Sequence, residues 1–366
     1  MIRLPKPPPG GIFEDLFVLE MANNHLGRLD RGLKIITDFS RIVRFNNVRA
    51  AIKLQLRDVD AFIHKDFRQR NDVRYIRKTL DTRLGRSDYA RLTTAIRRAG
   101  CIPMATPFDE VSVELSVELG VDIIKIASSD LNDWVLIEKV ASTKKPVIVS
   151  TGGSSLKDVD DLVTFFNRRA IPLAINHCVS LYPSENRELE LNQIDFLRDR
   201  YPMNVIGFST HEHRDWQASI AIAYAKGART FERHIDIAAD GVQPSEYCSL
   251  PHQIDQWFKA HRQAVEMCGA PGTQKRIPLR QETQYLDALV RGVYARRDLV
   301  RGHAWHDDDV YLAIPLQKGQ ISCRELMRGE VLLRDVAADE PIMIDAIDSP
   351  YAENEQLKAL IYQRGL

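Results

Sequence analysis

The stretch IPMATPFDEVSVELSVELGVDIIKIASSDLNDWVLIEKVASTKKPVIVST, residues 102–151, decides the fold. Within it three short apolar runs, Ile102 to Thr106, Ile123 to Ala127 and Val147 to Thr151, are separated by longer amphipathic segments, Val111 to Leu119 and Leu131 to Ala141. Strand-sized runs alternating with helix-sized ones are the pattern of a parallel sheet covered by helices. The pattern continues in both directions. Leu16 to Met21 and Ala50 to Leu54 precede it, and Pro172 to His177, Val205 to Ser209 and Thr230 to His234 follow. Helical periodicity covers Leu156 to Phe166, Gln217 to Lys226 and Gln253 to Met267. Eight strands with no GxGxxG turn after the first predict an α/β chain built on a closed (β/α)8 TIM barrel rather than an open doubly wound sheet. Lys65 to Ser87, longer and more charged than a usual connection, reads as an elaborated loop near the catalytic face.

The 366 residues leave room for more than the barrel, which takes about 250. The texture places the barrel at 1–269, a linker at 270–289 opening with Ala270-Pro271-Gly272, a compact β-rich domain at 290–350 and a tail at 351–366. In the small domain short apolar groups such as Val310 to Ile314, Val331-Leu332-Leu333 and Pro341-Ile342-Met343 alternate with turns. Lys plus Arg and Asp plus Glu balance at 50 each, so no global field draws the chain to nucleic acid or an anionic membrane. Neither a membrane span nor a secretory signal is read in the sequence, and a cytoplasmic location is expected. The five cysteines, Cys101, Cys178, Cys248, Cys268 and Cys323, are scattered and read as reduced core residues.

In parallel barrels chemistry sits at the C-terminal strand ends. The first strand ends with Glu20 and an amide pair, Asn23-Asn24, and a carboxylate there is costly unless partnered. Period-two alternation puts Lys53 and Gln55 on one face of the second strand, and Lys125 projects from the fourth. Two lysines on apolar strands are poor core residues and call for an anion. Ser150-Thr151-Gly152-Gly153 offers hydroxyls and backbone N–H groups to a phosphate or carboxylate. His211 or His213 after the seventh strand, with His234 on the eighth, can converge on one metal ion.

These residues resemble the sialic acid (N-acetylneuraminate) synthase family, phosphoenolpyruvate-dependent synthases of nonulosonates that include a spore-coat polysaccharide biosynthesis branch. The likeness runs through Glu20 to His25 (EMANNH), Ile52 to Gln55 (IKLQ), Ala105 to Asp109 (ATPFD), Lys125 to Ser128 (KIAS), Ser150 to Gly152 (STG), His177 to Pro183 (HCVSLYP) and Glu232 to His234 (ERH). The tail from Val290 resembles that family's antifreeze-like (SAF) domain, which in relatives swaps over the partner's barrel in a homodimer. The resemblance implies that Lys53, Gln55, Lys125, Ser128, Ser150 and Ser209 bind phosphoenolpyruvate. It further implies that His211 and His234 hold a divalent metal, manganese or magnesium, that Glu20 is catalytic, and that Asp130 and Tyr182 line the sugar site.

The chain also departs from the family pattern. Asp130 replaces the usual Glu, Ser180 stands where several relatives have Asn, Ser245-Glu246-Tyr247-Cys248-Ser249 replaces Asp-His-x-x-Ser, and Ile314-Pro315 replaces Arg-Pro. The phosphoenolpyruvate half is kept and the sugar half is rewritten. The expected reaction joins phosphoenolpyruvate to an N-acyl-mannosamine-like aldose, releasing phosphate by C–O cleavage. Two other readings are carried forward: a Schiff-base keto-acid aldolase working through Lys125, and a non-catalytic barrel kept for binding or assembly.

Overall fold

The computed structural model describes residues 11–70, 72–270, 272–325 and 329–366. The reading of the first ten residues, and Pro271 of the expected linker, lie outside them. Eight parallel strands close into a barrel in sequence order: β1 Leu16–Ala22, β2 Ala50–Leu56, β3 Ile102–Pro107, β4 Ile123–Ile126, β5 Val147–Ser150, β6 Leu173–Cys178, β7 Val205–Thr210 and β8 Thr230–His234.

The side-chain alternation explains both the core and the site. Phe17, Leu19, Ile52, Leu54, Ile124 and Val149 join the large apolar cluster between sheet and helices. The intervening residues Leu16, Val18, Ala51, Ile123, Ile148 and Ala174 form a second cluster inside the barrel. One step further along each strand, the inward series turns polar, at Glu20, Lys53, Lys125, Ser150 and Asn176. An apolar plug therefore fills the N-terminal half of the barrel, and its C-terminal half is a ring of polar groups. Gly207 of β7 marks the tightest point: a Cβ there would fall 1.9 Å from Thr230 Oγ1 and 2.2 Å from Asn176 Oδ1.

The helices of this unit are α1 Leu29–Asn46, α2 Val59–Phe62, α3 Arg74–Asp81, α4 Arg86–Arg98, α5 Glu110–Glu118, α6 Trp134–Ser142, α7 Leu156–Arg168, α8 Asn192–Arg200, α9 Trp216–Ala225 and α10 Pro251–Cys268. The stretch 65–87, read as a loop, instead holds α3 and the start of α4. These short helices are crowded with charges and carry few apolar residues, which hides their periodicity. All five cysteines are free, but Cys268 and Cys323 are exposed, so the core reading holds only for Cys101, Cys178 and Cys248. Among the described residues no helix is long and apolar enough to cross a membrane.

The chain divides into two compact units at Ala270 and Pro271. The second has its own core, built on Val293, Trp305, Ile321, Ile342 and Ile344. Its strands pair antiparallel, β9 Gly292–Ala295 with β10 Val310–Ala313 and β11 Val331–Leu332 with β12 Ile347–Asp348. Buried Asp309 ties the unit together: His303 Nε2 lies 2.8 Å from its Oδ2, the His306 N–H donates at 2.9 Å, and Arg297 Nε donates at 3.0 Å. The His303 bond first, then the His306 N–H and Arg297, hold the carboxyl well below the usual range. A carboxyl with a depressed folded pKa stabilises the fold above its unfolded pKa of about 3.9, and that contribution is lost as pH falls through the folded value. Asp309→Asn is therefore expected to lower the melting temperature of the second unit by several degrees at pH 7, with the gap to wild type shrinking below about pH 4. Circular dichroism melts at both pH values check this, and equal melting at pH 7 would refute it.

Candidate active site

The polar ring opens into a cavity of about 860 Å³ at the C-terminal end of the barrel. Strand register brings its charged groups together: Glu20 pairs with Lys53 across β1 and β2, and with His234 across β1 and β8, while Ser209 pairs with Glu232 across β7 and β8. Lys53 Nζ sits between two carboxylates, 2.5 Å from Glu20 Oε2 and 2.6 Å from Glu232 Oε1. Lys125 Nζ donates to Ser150 Oγ at 2.7 Å and lies 3.6 Å from Glu232 Oε2. The anion demanded by the two lysines is thus supplied in the free protein by Glu20 and Glu232.

Burial would raise the pKa of Glu232, but Lys125 and Lys53 outweigh it and bring the carboxyl down to about 2. Glu20 moves the other way: burial dominates, Lys53 opposes it only in part, and the Glu232 charge adds to the rise. The two carboxyls therefore diverge: Lys125 and Lys53 favour the ionised form of Glu232, whereas burial raises the proton affinity of Glu20. Lys53 is raised, because its two carboxylate partners overcome burial, and Lys125 is lowered by burial, with Lys53 nearby adding to the effect.

Opposite these groups, Ser128 begins a 3-10 turn after β4, and its Oγ accepts from the Gly152 N–H at 3.1 Å. A Cβ at Gly152 would lie 2.2 Å from Ser180 Oγ, so only glycine keeps this cradle open. Ser150, Ser209 and Gln55 face the same cavity, and Gln55 Oε1 accepts from Arg57 at 3.1 Å. Asp130 lines it too; its Oδ2 is buried with no hydrogen-bond partner among the described residues, and burial raises its pKa.

His211 and His234 lie with ring centroids 5.3 Å apart. His213 instead sits outside this cavity beside Arg214, whose Nε donates to it at 3.1 Å. His211 Nδ1 lies 2.8 Å from the Val179 carbonyl oxygen, which makes Nδ1 the donor and leaves Nε2 a lone pair. Burial lowers His211 to about 4 and His234 well below its ordinary value. His234 Nδ1 is buried without a partner among the described residues. Two neutral imidazoles with free nitrogens are a donor set that suits a divalent metal. Among the described residues no group of three or more His, Cys, Asp or Glu could hold an ion. The Tyr182 ring centroid lies 3.9 Å from that of His211 with the planes tilted by 40°, and Tyr247 packs edge-on 5.2 Å from His234.

Every site residue implied by the family resemblance, from Glu20 to His234, lines this one cavity, whereas the other candidates Thr151 and His213 do not. Sequence reasoning missed Glu232, Arg57, Arg74, Lys78 and Tyr247, which line it too. Alternation gave a signal for two of them: Glu232 lies two before His234, and Arg57 two after Gln55. Arg74 and Lys78 come from α3, and no periodicity predicts Tyr247.

The NeuB family model matches residues 47–272, and the SAF domain model matches 290–348. A crystal structure of a spore coat polysaccharide biosynthesis protein E from Chromobacterium violaceum superposes with a TM-score of 0.85 at 36% identity, covering 92% of this chain and 100% of that one. The N-acetylneuraminate-9-phosphate synthase of Drosophila melanogaster is 27% identical over 92% of this chain and 97% of its own length. The N,N'-diacetyllegionaminic acid synthase of Campylobacter jejuni is 23% identical over 89% and 98%. A match over most of the barrel, together with a relative at this identity along nearly its whole length, means that the chain belongs to the NeuB family and carries a SAF domain after its barrel.

Proposed function

We propose that this chain is a transferase that condenses phosphoenolpyruvate with an N-acyl-mannosamine-like aldose, giving a 3-deoxy nonulosonate and phosphate. The observation that carries the reading is the meeting, in one cavity, of the Lys53–Glu232–Lys125 charge ring, the Ser128–Gly152 cradle and the paired neutral imidazoles. Relatives named as N-acetylneuraminate-9-phosphate and diacetyllegionaminic acid synthases support it.

Lys53 and Lys125 offset the phosphate and carboxylate charges of phosphoenolpyruvate, while Ser128, Ser150, Ser209 and the Gly152 N–H fix its position. His211 and His234 would hold a divalent metal, which would supply Lewis acidity toward the aldose carbonyl. As C3 of phosphoenolpyruvate bonds to the aldehyde carbon, the C2–C3 and carbonyl π bonds break, the aldehyde oxygen takes up a proton from solvent to become a hydroxyl, and positive charge grows at C2, where Glu20 stabilises it. Water adds to C2 as Glu20 accepts its proton, a task suited to a carboxyl whose proton affinity burial has raised. The C2–O bond then breaks, phosphate leaves and the 2-keto group forms. Asp130, Tyr182 and Tyr247 border the space left for the sugar. Pairing into a domain-swapped homodimer belongs to the same proposal and is checked by light scattering.

Phosphate release from phosphoenolpyruvate is the test, with N-acetylmannosamine, its 6-phosphate and diacetamido hexoses as acceptors. Aldose-dependent release is expected, silenced by a chelator and restored by Mn²⁺. Absence of release with every acceptor would favour the non-catalytic barrel. The burial and lowered pKa of Lys125 favour a second reading, the Schiff-base aldolase. Against it, the Lys125 amine is held by Ser150 and faces Glu232. Borohydride with pyruvate is expected to leave activity and mass unchanged, and a trapped adduct on Lys125 would reverse the assignment.

A further inference from the structure

We propose that the buried Arg233–Glu212 ion pair positions the two imidazoles by clamping the end of β7 to the end of β8; the inference rests on the metal-assisted reading above. Glu212 follows His211 and Arg233 precedes His234, so each member of the pair is one peptide unit from one candidate ligand. The β7–β8 ladder stops at Thr210 opposite Arg233, which leaves His211 beyond the last pairing with β8, although on its other side the Ser184 N–H donates to its carbonyl oxygen at 3.2 Å. The ion pair continues the β7-to-β8 connection past the end of that ladder.

Arg233 NH1 stands 3.2 Å from Glu212 Oε2, with both side chains 1% exposed. NH2 donates to the Glu212 carbonyl oxygen at 2.7 Å, and Nε donates to Ser249 Oγ at 2.5 Å. Ser249 returns to the site, because its backbone N–H donates to the His234 carbonyl at 2.8 Å. The Thr210 and Ser219 hydroxyls donate to the Glu212 carboxylate, and the guanidinium lies 5.8 Å from the Trp216 ring centroid. Neither member of the pair lines the cavity. Arg233 and Glu212 are thus positioning residues, not catalytic ones.

Energetics favour this role over a purely stabilising one. Desolvation of two buried charges largely cancels their attraction, and replacing such a pair by apolar residues is often neutral for stability. Groups that orient metal ligands typically contribute about 10- to 100-fold in metal affinity.

The test uses the full-length chain and Mn²⁺, with free ion measured by electron paramagnetic resonance and melting temperature measured in EDTA. The double variant Glu212→Met with Arg233→Met removes both charges without leaving one unpaired. It is expected to bind Mn²⁺ about 10- to 100-fold more weakly while melting in EDTA close to wild type, and Arg233→Lys is expected to retain part of the affinity. If the double variant does not fold, Arg233→Lys, which keeps both charges, carries the same two readouts, with weaker binding and melting close to wild type expected. Variants that melt lower but bind Mn²⁺ as wild type does would overturn the clamp alone. Wild-type protein that binds no Mn²⁺ would overturn the metal reading and the clamp with it.

Discussion

Glu20→Gln is expected to lower kcat by about 10²- to 10⁴-fold, the usual range for losing a general acid or base, while phosphoenolpyruvate still binds. The two effects separate because the groups do different work. Lys53 keeps Glu232 at 2.6 Å when Glu20 loses its charge, and Lys125 keeps Ser150 at 2.7 Å, so the cationic side of the pocket stays in place. The amide is nearly isosteric and can still accept the Ala22 N–H that Glu20 Oε1 accepts at 2.6 Å. It cannot take a proton from water or stabilise positive charge at C2. Phosphate release with saturating aldose gives kcat, and calorimetric titration gives phosphoenolpyruvate affinity. Normal turnover in the variant would remove Glu20 from the mechanism.

His234→Ala, and separately His211→Ala, are expected to cut metal-dependent turnover by at least about a thousandfold, equivalent to roughly 4 kcal/mol. Loss of one imidazole leaves a single histidine donor where two now lie with ring centroids 5.3 Å apart. Bound Mn²⁺ is expected to disappear in parallel, with phosphoenolpyruvate affinity changed little, because Lys53, Lys125 and the Ser128 cradle lie on other strands. Steady-state rates and metal content after gel filtration check this together. Retained activity in either variant would show that the imidazoles serve another purpose.

Much of this was legible because a barrel strand obeys a period of two. Once Leu16 and Val18 are inside, Glu20 must be inside as well, and the same count places Lys53 and Lys125. The rule applied equally to Glu232 and Arg57, yet neither stood out: Glu232 adjoins Arg233, and an acid beside a base on one strand suggests a surface pair, whereas the two point to opposite sides of the sheet. Helix α3 escaped because Arg74, Arg77, Lys78 and Asp81 crowd a short segment with few apolar residues, and charge density masks helical period at that length. Tyr247 lies in the segment after β8, where position comes from tertiary packing against Tyr182 and His234 rather than from local pattern. The lysines were read as facing a bound phosphate or carboxylate, whereas their resident partners, Glu20 and Glu232, become evident only when strand register is known.

Diffraction at the manganese edge from crystals grown with Mn²⁺ and phosphoenolpyruvate tests the central claim most directly. The account predicts one anomalous peak within bonding distance of both His211 and His234, with the phosphate on Ser128, Ser150 and Lys125. A peak elsewhere, or phosphoenolpyruvate seated away from the Lys53–Glu232–Lys125 ring, would contradict it.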